Sequence, residues 1–232
     1  MKRTRLRIGL PEPRIKVSFM YPKGNLFIPA SHGKLEAIIK EPQGVRKGAA
    51  LVCHPHPLGG GTMHNKVVFR VAAGLNDAGH AALRFNFRGV GSSTGTHGEL
   101  EGGIEDVRDA IDFLAEKYEG EDLTLAGFSF GSRTGTQAAK DDDRVRRLIS
   151  IGTPVDKYGD YQFLFGLTKP ILFVHGDNDE FGSVSELRKL VDEVSKTAET
   201  ELIVFSDCGH FFDEHLSELR EAIRNWMSTR SG

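Results

Sequence analysis

A serine set between two glycines, Gly127-Phe128-Ser129-Phe130-Gly131, is the strongest chemical signal in this chain. A serine hydroxyl is a weak nucleophile at neutral pH unless a base takes its proton as the new bond forms. The pattern alone says little in a chain with 27 glycines among 232 residues, so its context decides. The residues before it, Leu123-Thr124-Leu125-Ala126, read as a strand, and those from Ser132 to Lys140 read as a helix. Strand, sharp turn and helix are what expose a nucleophilic serine at the top of a sheet. Glycines two positions either side admit close backbone approach, and the helix N-terminus offers free N–H groups to a developing oxyanion. The bland alternative is a Gly-rich loop whose serine caps the helix.

Such a serine needs a base and an acid, which follow in the order serine, acid, histidine from loops after later strands. The stretch 170–181, PILFVHGDNDEF, provides Asp177 and Asp179 just past a strand, and spacing does not separate the two. The stretch 201–212, ELIVFSDCGHFF, provides His210 just past the next strand. Aspartates after strands are common turn formers, and a histidine in a Gly-His-Phe turn is often structural. Their joint occurrence in the required order favours chemistry. His210 would take the Ser129 proton, and an aspartate would orient and stabilise the imidazolium. The oxyanion would accept from the N–H of Phe130 and from a second donor in the loop His54-Pro55-His56-Pro57-Leu58. Proline has no N–H, which leaves His56 or Leu58.

These residues need a scaffold that brings loop ends together. Strand patterns fall at 17–22, 34–42, 49–55, 81–87, 123–126, 145–152, 170–176 and 201–207. The first two could pair antiparallel. Helical spacing appears over 67–75, 103–118, 132–140, 184–196 and 212–227. Alternation of strands and helices predicts an α/β fold: a mostly parallel, doubly wound sheet of about eight strands with helices on both faces. Open α/β sheets carry their sites at the carboxyl ends of the strands, where Ser129, both aspartates and His210 fall. No repeat or linker divides the chain, so one domain over 15–230 is expected, preceded by a flexible arm over 1–14.

Composition narrows the partners. Thirty basic and 32 acidic residues give a formal charge of −2, which provides no footprint for nucleic acid or a membrane surface. No segment reaches the ~18 apolar residues of a membrane span. Cys53 and Cys208 are too few for a disulfide framework and point to a reducing compartment, hence a cytoplasmic location. His54, His56 and His64 could ligate a metal, but no Cys pair, HExxH or acidic cluster accompanies them, so neither metal nor cofactor is expected. The Gly-rich stretch 87–99 lacks the Lys-Ser/Thr of a phosphate loop and reads as a loop flanking the site, pinned by Arg88.

With these motifs assembled, the chain resembles the α/β-hydrolase superfamily, in particular the small lidless bacterial esterases related to dienelactone hydrolase. The resemblance rests on HPHPLGGGTMHNK (54–66), LRFNFRGVGSSTG (83–95), GFSFGS (127–132), HGDNDEF (175–181) and CGHFF (208–212). It implies that the acid is the second aspartate, Asp179, and that His56 is the second oxyanion donor. Where closer relatives tend to have an acidic residue before Asn-Lys, this chain has His64. Lids in this fold type enter after the sixth strand, and the interval 152–169 is too short for a cap. The expected substrate is a small ester, with Phe128, Phe211 and Tyr161 lining the pocket and an acyl-enzyme on Ser129. The same triad would serve a thioesterase, lactonase or peptidase, and a fold of this kind can also serve as a non-catalytic receptor. A monomer or homodimer is expected.

Overall fold

Six-residue runs with no polar face are stable only between two layers of helices. Three such runs form the middle of the sheet, β3 (Gly48–Cys53), β5 (Leu123–Phe128) and β7 (Ile171–Gly176), each buried along its whole length. The structure, a computed structural model, describes residues 24–230. The remaining strands are β1 (Leu26–Ala30), β2 (Gly33–Lys40), β4 (His80–Phe85), β6 (Val145–Ile151) and β8 (Thr200–Phe205). The helices are α1 (Lys66–Asp77), α2 (Glu99–Lys117), α3 (Phe130–Ala139), α4 (Val155–Tyr158), α5 (Val184–Val194) and α6 (Leu216–Ser228).

The eight strands lie in the order β1-β2-β4-β3-β5-β6-β7-β8, parallel from β4 to β8 and antiparallel at β1–β2 and β2–β4. This is the doubly wound α/β sheet expected. Alternation along the strands sorts side chains into two cores. Ala49, Leu51 and Cys53 of β3 face α2, α3 and α5, while Ala50 and Val52 face α1 and α6. The same parity sends Leu123 and Leu125 of β5 to one side and Ala126 and Phe128 to the other.

Two expectations shift. The strand at 17–22 and the arm at 1–14 lie outside the described residues, and the partner of β2 is Leu26–Ala30. Pro29 masks this strand in the sequence, and proline is tolerated because β1 is a sheet edge. α2 begins at Glu99, ahead of the expected position 103, because Gly102 and Gly103 read as a helix boundary but serve contact. A Cβ at Gly103 would lie 2.8 Å from the Phe130 ring, and one at Gly102 would lie 3.1 Å from the Arg88 guanidinium.

The loop after β4 is pinned as expected through Arg88. Asp106 of α2 is fully buried and accepts from the Arg88 N–H at 2.7 Å and from its Nε at 2.8 Å. The same carboxylate meets His32 Nε2 of the β1–β2 turn at 2.9 Å. One acid thus ties two loops to α2. Removing it leaves Arg88 largely buried without its main partner, and breaking such a pair is destabilising by about 3–5 kcal/mol. Asp106→Ala should lower the denaturant midpoint accordingly, and an unchanged midpoint in urea unfolding would contradict this role.

Candidate active site

The glycines around Ser129 answer to backbone atoms. A Cβ at Gly127 would lie 2.1 Å from the Gly131 carbonyl oxygen, and one at Gly131 would lie 2.4 Å from that of Cys53. No side chain fits at either place. Ser129 itself sits at φ 55° and ψ −116°, a conformation that non-glycine residues hold at a cost of about 1–3 kcal/mol. It occupies the cap position of α3, yet its side chain makes no capping hydrogen bond. The hydroxyl instead meets His210 Nε2 at 2.9 Å. That excludes the helix-cap reading of the serine.

The opposite ring nitrogen of His210, Nδ1, donates to Asp179 Oδ2 at 2.8 Å. The other Asp179 oxygen accepts from the Phe181 N–H at 2.9 Å, which fixes the carboxylate plane. Here the structure separates the two aspartates that spacing left equal. Asp177 is exposed, and its carboxylate accepts from the Cys208 N–H at 3.2 Å, bracing the histidine loop from outside. The two loops meet because position 176 is glycine: a Cβ there would lie 2.2 Å from the Cys208 carbonyl oxygen.

Several residues that the sequence did not single out hold the imidazole. Phe181 packs edge-on against it at 4.7 Å between centroids. Gly152, at φ 52°, leaves room where a Cβ would lie 3.2 Å from the ring. His175 is fully buried, donates through Nε2 to the Gly182 carbonyl at 2.6 Å, and stands 3.7 Å from Asp179. Its place in HGDNDEF, four residues before the acid, was the available signal.

The first turn of α3 leaves donors free. Ser132 and Arg133 donate to the Ser129 carbonyl, whereas the Phe130 N–H has no acceptor among the described residues. Beside it, the Cys53 and His54 carbonyls rest on Gly131, and the His56 ring lies 4.9 Å from that of Phe130. The Leu58 N–H is already engaged by His56 Nδ1 at 3.2 Å, and its side chain is exposed, so Leu58 drops out as an oxyanion donor. The His56 N–H is free among the described residues. Burial holds the His56 imidazole below the usual histidine range, and nearby His97 and Lys157 add to this.

His54 turns away from His56, and the two do not converge as ligands. Its Nδ1 donates to the Pro55 carbonyl at 2.6 Å, and its Nε2 accepts from the Phe87 N–H at 3.1 Å. Complete burial pushes its pKa down to about 3, so it is a neutral strut between the loops after β3 and β4. Among the described residues no three His, Cys, Asp or Glu side chains gather as metal ligands, and no helix is long and apolar enough to cross a membrane.

The expected pocket residues divide. Phe211 is 43% exposed and stands edge-on to His210 at 5.2 Å, at the rim of the site. Phe128 is fully buried: strand parity turns its ring to the α1/α6 side, where it backs the imidazole at 4.9 Å. Tyr161 is also buried, packed in the α2/α3/α5 core. Neither lines an open pocket, because both rings complete a core. The stretch between β6 and β7 holds only α4 and a single turn at Gln162–Leu164, which leaves the face above Ser129 without a cap.

The comparisons with known proteins agree with this architecture. The alpha/beta hydrolase fold family matches residues 51–162. The solved structure of an alpha-beta serine hydrolase homologue from Coxiella burnetii is 36% identical with a TM-score of 0.81, covering 88% of this chain and 98% of that one. XC6422 from Xanthomonas campestris, a serine hydrolase without a lid, is 30% identical with a TM-score of 0.80, covering 90% and 96%. An uncharacterized protein of Rickettsia prowazekii is 30% identical over 210 residues, 88% of each chain. The chain belongs to the α/β-hydrolase superfamily.

Both cysteines are buried near this machinery. Burial pushes Cys53 up, and burial with the Asp177 and Asp179 carboxylates pushes Cys208 up to about 11. The thiolate is the reactive form. Iodoacetamide at pH 8 should therefore leave both untouched in the native protein and modify both in denaturant; rapid native modification by mass spectrometry would contradict the assignment.

Proposed function

We propose that the protein is a serine hydrolase acting on small carboxylic esters through an acyl-enzyme on Ser129. The observation that carries this is the continuous chain of contacts from Ser129 Oγ to His210 Nε2 at 2.9 Å and from His210 Nδ1 to Asp179 at 2.8 Å. A non-catalytic receptor has no use for a strained serine whose hydroxyl is withheld from its own helix. The two similar structures from Coxiella burnetii and Xanthomonas campestris, described as a serine hydrolase homologue and a lidless serine hydrolase, support the same class.

In this reading His210 Nε2 takes the Ser129 proton as Oγ attacks the ester carbonyl carbon. The carbonyl oxygen becomes an oxyanion held by the Phe130 and His56 N–H groups. Collapse breaks the bond to the alcohol, which leaves with the proton from His210. Water then repeats the sequence on the acyl-enzyme, with His210 as base, and releases the acid. Asp179 keeps Nδ1 protonated and stabilises the imidazolium throughout. The open face admits ester groups without a lid movement, and the exposed Phe211 ring offers an apolar surface beside them.

Hydrolysis of p-nitrophenyl butyrate tests the assignment and the choice of acid together. Ser129→Ala should abolish turnover and fluorophosphonate labelling while the protein stays folded by circular dichroism. Asp179→Asn should lower kcat by about 10³–10⁴, whereas Asp177→Asn should retain kcat within about threefold. Turnover surviving Ser129→Ala, or equal losses at the two aspartates, would overturn the reading.

A further inference from the structure

Behind the acid stands a second imidazole. His175 lies one residue before the end of β7 and is fully buried. Strand parity turns it to the side of Ile171 and Phe173. Its Nε2 meets the Gly182 carbonyl at 2.6 Å, across the loop that carries Asp179. A carbonyl only accepts, so the proton sits on Nε2. The same nitrogen stands 3.7 Å from Asp179 Oδ2, the oxygen that accepts from His210 Nδ1 at 2.8 Å. One carboxylate oxygen thus has an imidazole N–H near it from each of two histidines.

The loop is anchored at its two ends. Asp177 and Asn178 donate their N–H groups to the Phe205 and Cys208 carbonyls at 3.0 and 2.9 Å. At the far end the Phe181 carbonyl accepts from the Asp156 N–H, and the Ser183 N–H donates to the Asp156 carboxylate, which ties the loop to α4. Between these anchors Gly182 is buried, and its carbonyl has no donor among the described residues other than His175. Only glycine fits there: a Cβ would lie 2.3 Å from the Thr153 carbonyl oxygen and 3.2 Å from the His175 ring. The other ring nitrogen of His175, Nδ1, is buried with no partner among the described residues. An apolar side chain would avoid that unpaired nitrogen, so the imidazole acts through Nε2 alone.

We propose that His175 is a positioning residue for Asp179: its Nε2–H holds the Gly182 carbonyl, closes the loop, and so keeps Oδ2 at hydrogen-bond distance from His210 Nδ1. This rests on the hydrolase reading of Ser129. Without that donor the buried Gly182 carbonyl is left unpaired, and the segment 179–182 shifts to relieve it. The Phe181 N–H that fixes Oδ1 belongs to the same segment, so both carboxylate oxygens move with it. Misplacing a catalytic group by about 1 Å costs on the order of 10²-fold in rate. A substrate does not reach the fully buried ring, so the effect falls on kcat and spares KM.

Glutamine and methionine have the same reach at position 175, and only glutamine carries a donor. With p-nitrophenyl butyrate, His175→Met should lower kcat by about 30-fold or more at unchanged KM, while His175→Gln should stay within about threefold of wild type. In Asp179→Asn, whose carboxylate is already gone, His175→Met should cost at most about twofold more, because residues acting through one another are not additive. Equal losses in the two His175 variants, or the same loss with and without the Asp179 carboxylate, would overturn the proposal and leave His175 as a core residue. If His175→Met does not fold, His175→Asn replaces it, since its amide ends one bond short of Nε2. Nuclear magnetic resonance gives a reading independent of turnover. The downfield proton of His210 Nδ1 should persist in His175→Gln and be lost in His175→Met, and a wild-type nitrogen-15 spectrum with the His175 proton on Nδ1 would reject the role outright. If wild type neither hydrolyses the ester nor takes a fluorophosphonate label, the hydrolase reading itself fails. The His210 resonance then judges His175: loss confined to His175→Met upholds the positioning, and equal spectra in the two variants reject it.

Discussion

The site depends on one close approach of backbones. The Cα of Gly131 rests on the carbonyls of Cys53 and His54, and that of Gly127 rests on Gly131. These contacts force β5 to turn into α3 within a single residue, and Ser129 takes the resulting strain. Parallel pairing of β3 with β5, which sets Cys53 opposite Gly127, brings the two carbonyls to that point. A methyl group at either glycine would push α3 off the loop after β3. Ser129 would then part from the segment that carries His56.

Around this turn the sheet divides labour between its faces. The side of α1 and α6 presses Phe128 against the back of His210, so the imidazole is held by a ring that a substrate does not reach. The other side places Phe130 beneath His56 and against α2, fixing the loop that borders the oxyanion position. Polar struts complete the frame. Neutral His54 joins the loops after β3 and β4, and Asp106 fastens Arg88 and His32 to α2. The chain of contacts from Ser129 through His210 to Asp179 therefore rests on strand ends.

Much of this was legible before any coordinates. Alternating strands and helices specified the doubly wound sheet, because buried parallel strands need apolar residues on both faces. The order of Ser129, the paired aspartates and His210 placed them on loops that such a sheet brings together. What misled were residues with two physical uses. Gly102 and Gly103 read as helix breakers, although their role is to admit Arg88 and Phe130. Pro29 hid an edge strand. Phe128 and Tyr161 looked like pocket walls because aromatic rings serve cores and binding surfaces equally well.

The sequence by itself therefore determined the fold class, the strand–turn–helix at Ser129 and the loops that carry Asp179 and His210, since each follows from local pattern and strand order. The resemblance to a family chose Asp179 over Asp177. The tertiary structure supplied the physical reason: Asp179 is buried against the imidazole, while Asp177 faces solvent and braces the Cys208 backbone. It likewise removed Leu58 as an oxyanion donor. These outcomes turn on distances between residues far apart in the chain. Only the packing of loops across the sheet edge creates them.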